Sequence, residues 1–270
     1  MILTRKKLKY RLDHLYRQFN RRKYVHPDPL EFLYAYPDIR DREIVGLIGA
    51  SLAYGRVDRI LKSVSFILEK LGENPSETLR HSTFEELKDR LDGFVHRFAK
   101  AEHMSSLLTG VKGIISEYGS LCECFMAGST GKDETVQNGI SFFASRLLRY
   151  CPSNPGHLVA DPQKKSACKR LHLFLRWMIR NDAVDPGGWD AVCRQSKLIV
   201  PLDTHMYRIC TAIGMTCRRQ ADIKAALEIT AAFKNIVPDD PVRYDFSLTR
   251  LGIRNELNVE SFLHMFPFRL

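Results

Sequence analysis

Residues 198–214, LIVPLDTHMYRICTAIG, constrain the fold of this chain more than any other stretch. An apolar run ends at Pro201, and the carboxylate of Asp203 then stands where a helix should begin. Behind Asp203, apolar residues recur at helical spacing as far as Gly214, which marks the expected end of the helix. The pattern therefore predicts Asp203 at a helix N-terminus against an apolar wall.

Helical periodicity extends along most of the chain, and no run of alternating apolar and polar residues indicates a sheet. An N-terminal helix is expected to turn Leu8, Leu12, Leu15 and Phe19 inward. The predicted fold class is all-α. Further helices are expected at residues 44–53, 57–71, 84–98, 140–148, 165–180 and 223–233.

The last predicted helix follows Asp240, which is a suitable N-cap, and places Pro241 in its first turn. Gly252 is expected to lie past the end of this helix. Residues 128–139 and 151–162 are rich in turn-forming side chains and are expected to form loops.

The net charge of +10 is unevenly distributed along the 270 residues. Residues 1–23 carry nine Lys and Arg against one acidic residue, and residues 140–185 carry eight against three, whereas residues 24–139 are net acidic. Basic surfaces attract phosphate backbones, so the two basic zones favour a nucleic-acid partner. Solvated faces of amphipathic helices would account for the same residues.

Composition excludes several classes of protein. The hydrophobic fraction of 44% is ordinary for a globular chain, and no apolar run has the length of a membrane helix. The first residues lack the apolar core of a secretory signal. Seven cysteines with scattered spacing indicate reduced thiols, so we expect a cytoplasmic protein.

The stretch PLDTHMYRI at residues 201–209 resembles the VDTHV-x-R-V segment of the helix-hairpin-helix DNA glycosylase superfamily, which includes endonuclease III and the oxidised-guanine glycosylases. In that superfamily the carboxylate at the position of Asp203 is the catalytic aspartate. The chain as a whole looks like a bacterial family of unknown function related to these enzymes. The resemblance implies two helical half-domains with a cleft between them, residues 1–40 with 190–270 and residues 41–189.

This resemblance implies DNA repair by excision of a flipped base. Cleaving a base from its sugar builds positive charge on the sugar, and a fixed carboxylate such as Asp203 stabilises that charge. The first hypothesis is therefore a monomeric, monofunctional DNA glycosylase. Because Asp is also a common N-cap, a catalytically silent DNA- or RNA-binding protein on the same fold is the alternative.

Two parts of the superfamily's machinery look altered. The hairpin that offers backbone N–H groups to a DNA phosphate corresponds here to a turn containing Gly187 and Gly188, followed by a bulky Trp189. Bifunctional members carry a Schiff-base lysine, but residues 181–189 contain none, and an earlier helix presents Arg176 in the corresponding pattern. Arginine stays protonated and is no nucleophile, so we expect no lyase activity.

Metal ligands are also sparse. Endonuclease III ends with four closely spaced cysteines around an iron–sulfur cluster, whereas Cys210 and Cys217 have no partners downstream. Cys122 and Cys124 form an isolated pair, so we expect neither a metal nor a cofactor. Lys169 and Lys197 are the lysines nearest to Asp203, and neither fits the superfamily's lysine patterns.

Several further side chains are candidates for a pocket or for contact with nucleic acid. They share either an aromatic face that can stack on a base or a polar group that can bond to one. Asp245 and Arg250 are also expected to border the cleft. The candidates are His205, Arg176, Tyr54, Arg56, Trp177, Trp189 and Tyr207, with Gly187 and Gly188 for the phosphate.

Overall fold

The computed structural model describes residues 5–164 and 166–253. It is 62% helix and 3% strand, which confirms the predicted all-α class. Two short antiparallel strands, β1 (Val95–His96) and β2 (Ala99–Lys100), form one hairpin. The α-helices are α1 (Arg5–Phe19), α2 (Ile39–Ser51), α3 (Val57–Leu71), α4 (Pro75–His81), α5 (Phe84–Arg90), α6 (Ala101–Tyr118), α7 (Leu121–Ala127), α8 (Gln137–Tyr150), α9 (Lys169–Ile179), α10 (Thr204–Ala212), α11 (Ile223–Lys234) and α12 (Asp245–Ile253).

Two of the predicted helices form as their periodicity indicates. All four apolar residues predicted on the inner face of α1 are buried, and cationic residues occupy its outer face. Helix α3 has the predicted bounds, and Gly72 ends it with a positive φ of 78° while donating its N–H to the Leu68 carbonyl. Local spacing is sufficient in both cases because each helix has one wholly apolar stripe.

The prediction of one helix over residues 84–98 is wrong. Helix α5 ends at Arg90, and Gly93 adopts a positive φ of 79° that reverses the chain. The β-hairpin follows, with Val95 opposite Lys100 and His96 opposite Ala99. The turn of this hairpin lies at the protein surface, where Phe98 is 63% exposed.

The prediction that Asp240 caps the last helix is also wrong. Residues 241–244 form turns, and α12 begins at Asp245. The Asp240 carboxylate instead accepts hydrogen bonds from the guanidinium of Arg180, inside the protein. Gly252 lies within α12 rather than beyond it.

Helix α9 occupies the middle of the molecule and packs against α2. Helices α1 and α10 both pack on α12. The central part is an array in which α6 contacts α5, α7 and α8. Helix α9 is also joined to α12 by the pair of Arg176 with Asp245. The division into two half-domains stays a prediction.

Candidate functional site

A cleft of about 770 Å³ opens beside Asp203. Its walls come from residues 27–29, residues 53–55 with Val57 and Ile60, three residues of α9 (169, 173 and 176), residues 201–205, Ala221 and α12. These segments are far apart in sequence, and the ion pair between Arg176 of α9 and Asp245 of α12 joins two of them. The volume lies in the range of small-molecule sites and is sufficient for a nucleobase with its sugar.

Asp203 is the N-cap of α10, as the sequence predicts. Its Oδ1 accepts a hydrogen bond from the Met206 backbone N–H at 2.8 Å. Its Oδ2 lies 4.0 Å from Nζ of Lys169, and both side chains are 29% exposed. One carboxylate oxygen is therefore held by the helix, while the other faces a cation in the cleft.

Lys169 is the functional candidate that sequence reasoning set aside. It opens α9, donates from Nζ to the Ala53 carbonyl at 3.1 Å, and lines the cleft opposite Asp203. Lys169 fits neither lysine pattern of the superfamily, yet the fold brings the start of α9 to the start of α10 and so places its ammonium group beside Asp203. The spacing of residues along the chain cannot predict that these two helix starts lie next to each other.

Arg176 lies on the cleft wall but points its charge inward. Its Nε and Nη2 donate to Oδ1 of Asp185 at 3.1 and 3.0 Å, and its Nη1 pairs with Asp245. Burial lowers the pKa of Arg176, but these two carboxylates more than offset that effect and raise it above the usual range. Arg176 is thus a structural cation paired with carboxylates other than Asp203.

Asp245 and Arg250 border the cleft, as expected, but they do not pair with each other. Asp245 is 3% exposed, and its Oδ1 has no hydrogen-bond partner among the described residues. Burial raises the pKa of Asp245 to about 6, against the lowering effect of Arg176. Arg250 donates from Nη2 to Oδ2 of Asp28 at 2.6 Å.

The remaining polar candidates divide into two groups. His205 and Tyr54 line the cleft, and Tyr54 donates its hydroxyl hydrogen to the His96 carbonyl at 3.1 Å. Arg56 is exposed outside the cleft and pairs with Asp58. Tyr207 also lies outside it and donates to the Arg218 carbonyl at 2.6 Å.

Trp177 and Trp189 are not base-stacking platforms. Their side chains are 0% and 1% exposed and form part of the hydrophobic core. The Trp189 indole lies against the ring of Phe174 and donates to Oε2 of Glu43 at 3.2 Å. Burial of the large apolar surfaces of these two indole rings stabilises the fold, which explains why both side chains lie in the core.

The turn at Gly187 and Gly188 does not present a free phosphate cradle. Gly187 donates its N–H to the Trp177 carbonyl at 3.1 Å, and Gly188 donates to Oδ1 of Asp190 at 3.0 Å. The next N–H, of Trp189, donates to the Met178 carbonyl at 2.7 Å. The expectation of phosphate binding here fails because these three donors already have acceptors in the protein.

The cations of the second basic zone, residues 140–185, are divided between the interior and the surface, where Arg149 and Lys164 are exposed. Arg176 and Arg180 are buried among carboxylates, and Arg180 pairs with Asp182, Asp185 and Asp240. Arg170 donates to the Ser51 carbonyl at 3.0 Å. Part of this zone's charge therefore stabilises the interior, whereas most cations of α1 lie on the surface.

Within residues 5–164 and 166–253, no three His, Cys, Asp or Glu side chains are grouped to hold a metal ion. The same part of the chain contains no helix with the length and apolar character needed to cross a membrane.

Comparison with curated proteins and with solved structures finds no match to this chain. Comparison with protein families finds a match over residues 28–254, which include Asp203 and every residue that lines the cleft except Pro27. The matched family is described as "Protein of unknown function (DUF2400)", and the chain belongs to it.

Proposed function

We propose that this protein is a nucleic-acid base glycosylase that hydrolyses the N-glycosidic bond of a flipped base, with Asp203 as the catalytic carboxylate. One observation carries the proposal: Asp203 faces a cleft of about 770 Å³ with one oxygen fixed by a helix and the other beside Lys169. The resemblance of residues 201–209 to the helix-hairpin-helix glycosylases points to the same reaction.

The geometry suits the charge that the reaction develops. As the bond between base and sugar breaks, positive charge forms on the sugar ring. A carboxylate held in place stabilises that charge without reorganising, and it can also orient a water molecule toward C1′. The Met206 N–H and the dipole of α10 support negative charge on Asp203.

A second candidate reaction follows from the position of Lys169. After Nζ gives up a proton, its lone pair can form a bond to C1′ as the bond from C1′ to the base breaks. Opening of the sugar ring then yields an imine, which is the start of strand cleavage by a lyase. The 4.0 Å separation from Asp203, a potential proton acceptor, favours this route for Lys169.

The test is release of free base from duplex oligonucleotides that carry a panel of deaminated, oxidised and alkylated bases, detected by mass spectrometry. Asp203→Asn keeps an efficient N-cap and removes the charge. Asp222→Asn is a matched control, because Asp222 caps α11 through the Ala225 N–H at 2.8 Å but does not line the cleft.

We expect wild type and Asp222→Asn to release the same base, and Asp203→Asn to be slower by at least about a hundredfold. Equal release by wild type and Asp203→Asn would contradict the catalytic role. Binding of the duplexes by wild type without release of any base would favour the silent nucleic-acid-binding protein. Borohydride trapping of a covalent adduct that Lys169→Gln abolishes would establish the lyase route.

A further inference from the structure

A second, separate recess on the surface is strongly cationic. It has a volume of about 420 Å³ and lies between α3 and the hairpin of β1 and β2. Three cations line it: Arg59 and Lys62 from α3 and Arg97 from the hairpin turn. We call this recess the Arg59–Arg97 groove.

The charge of the Arg59–Arg97 groove is only partly offset by a nearby acidic residue, because Asp58 on α3 interacts electrostatically with Arg59. No acidic side chain lines it. Within the described part of the chain, none of its three cations forms a salt bridge, in contrast to nearby Arg56, which pairs with Asp58. All three side chains are on exposed residues. Unpaired cations that converge on a concave surface attract an anion.

The groove and the cleft share one wall. Ile60 lines the cleft, and its neighbour Arg59 in α3 lines the groove. Tyr54 of the cleft wall and His96 of the groove are joined by two hydrogen bonds, each with a distance of 3.1 Å. The groove therefore adjoins the cleft through α3 and through the contact between Tyr54 and His96.

The hairpin turn presents an unusual pair of side chains beside the groove. Arg97 adopts a positive φ of 54°, which is unfavourable for a residue with a Cβ atom. The next residue, Phe98, is 63% exposed, and the guanidinium of Arg97 lies over its ring at 5.6 Å. Exposed aromatic rings next to cations are typical of surfaces that bind nucleic-acid strands.

From these observations we infer that the Arg59–Arg97 groove binds the sugar-phosphate backbone of the nucleic-acid strand whose base enters the cleft, with Phe98 stacking on a neighbouring base. The inference rests on the proposed function, because the cleft must receive a base. It replaces the glycine turn at residues 187–188 as the phosphate contact, since the N–H groups of that turn are already bonded within the protein.

The test compares two triple variants that remove the same charge. The first, the groove triple, removes the three cations of the groove by Arg59→Ala, Lys62→Ala and Arg97→Ala. The second, the control triple, removes three exposed cations that line neither the groove nor the cleft, by Lys132→Ala, Arg149→Ala and Lys234→Ala. Binding of labelled single-stranded DNA, single-stranded RNA and duplex DNA, each with a tetrahydrofuran abasic site, is measured by fluorescence anisotropy as a function of salt concentration. Circular dichroism confirms folding of each variant.

We expect the groove triple to weaken binding by at least about tenfold near 100 mM salt and to lower the salt slope by about 2 to 3, whereas the control triple changes affinity less than about threefold. A separate Phe98→Ala variant should weaken single-strand binding by about tenfold. Equal losses in the two triples would overturn the groove assignment, and so would competition by inorganic phosphate as strong as that by the oligonucleotide.

The groove proposal and the glycosylase proposal can be contradicted independently of each other. Wild-type binding that depends on the groove, without release of any base, would support the groove and contradict the catalytic proposal. Base release that is insensitive to the groove triple would contradict the groove and leave Asp203 as the catalytic residue. Absence of nucleic-acid binding by wild type would overturn both proposals.

Discussion

At the scale of single residues, the pairing of Asp203 with Lys169 has more chemical than structural consequence. Both side chains are partly exposed and their charged atoms are 4.0 Å apart. Exposed ion pairs contribute about 0 to 1 kcal/mol to stability, so the pair contributes little to folding. The same arrangement holds a negative and a positive group at one spot in the cleft, where a reaction that separates charge can use both.

His172 provides a test of burial at this scale. It lies on α9 with its Nδ1 unpartnered among the described residues, and burial lowers its pKa from 6.5 to about 4. Between these two pH values His172 binds a proton in the unfolded chain but stays neutral in the folded chain. The contribution of His172 to stability therefore decreases as pH falls from 6.5 to 4.

We expect His172→Leu to lose this dependence. The free energy of unfolding of the variant relative to wild type should rise by about 3 kcal/mol as pH falls through that window, because one pKa unit corresponds to about 1.4 kcal/mol. Urea unfolding of both proteins at several pH values measures the difference. Parallel stability curves would show that His172 titrates normally in the folded protein.

Residue-level predictions from sequence succeeded where the cause is local. An aspartate before a helical apolar pattern is an N-cap, and Asp203 is one because its carboxylate reaches an N–H three residues ahead. The partner of its second oxygen is 34 residues away along the chain and depends on how two helices pack. Lys169 was therefore recognised as near in sequence but not as part of the site.

At the scale of elements, the turn at residues 181–189 packs against the end of α9 and the start of α2. Its backbone is closed by hydrogen bonds to the end of α9, and Gly188 adopts a positive φ of 130°. A Cβ atom on Gly188 would lie 1.9 Å from Cδ1 of Ile39 at the start of α2. The φ of 130° requires a glycine at this position, and a Cβ atom there would also displace the end of the Ile39 side chain.

Gly188→Ala should therefore be strongly destabilising. We expect a loss of at least about 2 kcal/mol in the free energy of unfolding, because the new methyl group meets both a steric clash and an unfavourable φ. Gly131→Ala is the control, since no atom lies within 4 Å of a Cβ placed there. Equal stability of the two variants in urea unfolding would refute the packing role.

Elements were predictable where one apolar stripe dominates and were not where stripes are short. Helix α3 has the predicted bounds because five apolar residues lie on one face and a glycine follows. Residues 84–98 carry a weak pattern, and the reversal at Gly93 together with packing against α3 converts their second half into a hairpin. Tertiary contacts decide the structure of such stretches.

At the scale of the whole molecule, the distribution of charge along the chain differs from its distribution in space. The zone at residues 140–185 is basic in sequence, yet two of its arginines neutralise buried carboxylates. The Arg59–Arg97 groove lies within residues 24–139, which are acidic in total. Charge counted along the sequence thus favoured a nucleic-acid partner but could not locate the surface, because separate elements bring these cations together.

Asp203 is proposed to stabilise positive charge on a sugar in the cleft, and one measurement tests this role without knowledge of the damaged base. A duplex carrying a cationic pyrrolidine nucleotide imitates the charged sugar, and the same duplex with neutral tetrahydrofuran lacks only the charge. We predict that wild type binds the cationic duplex at least about tenfold more tightly than the neutral one. In Asp203→Asn this preference should disappear, and in Asp222→Asn it should persist. An equal preference in wild type and Asp203→Asn would contradict the claim.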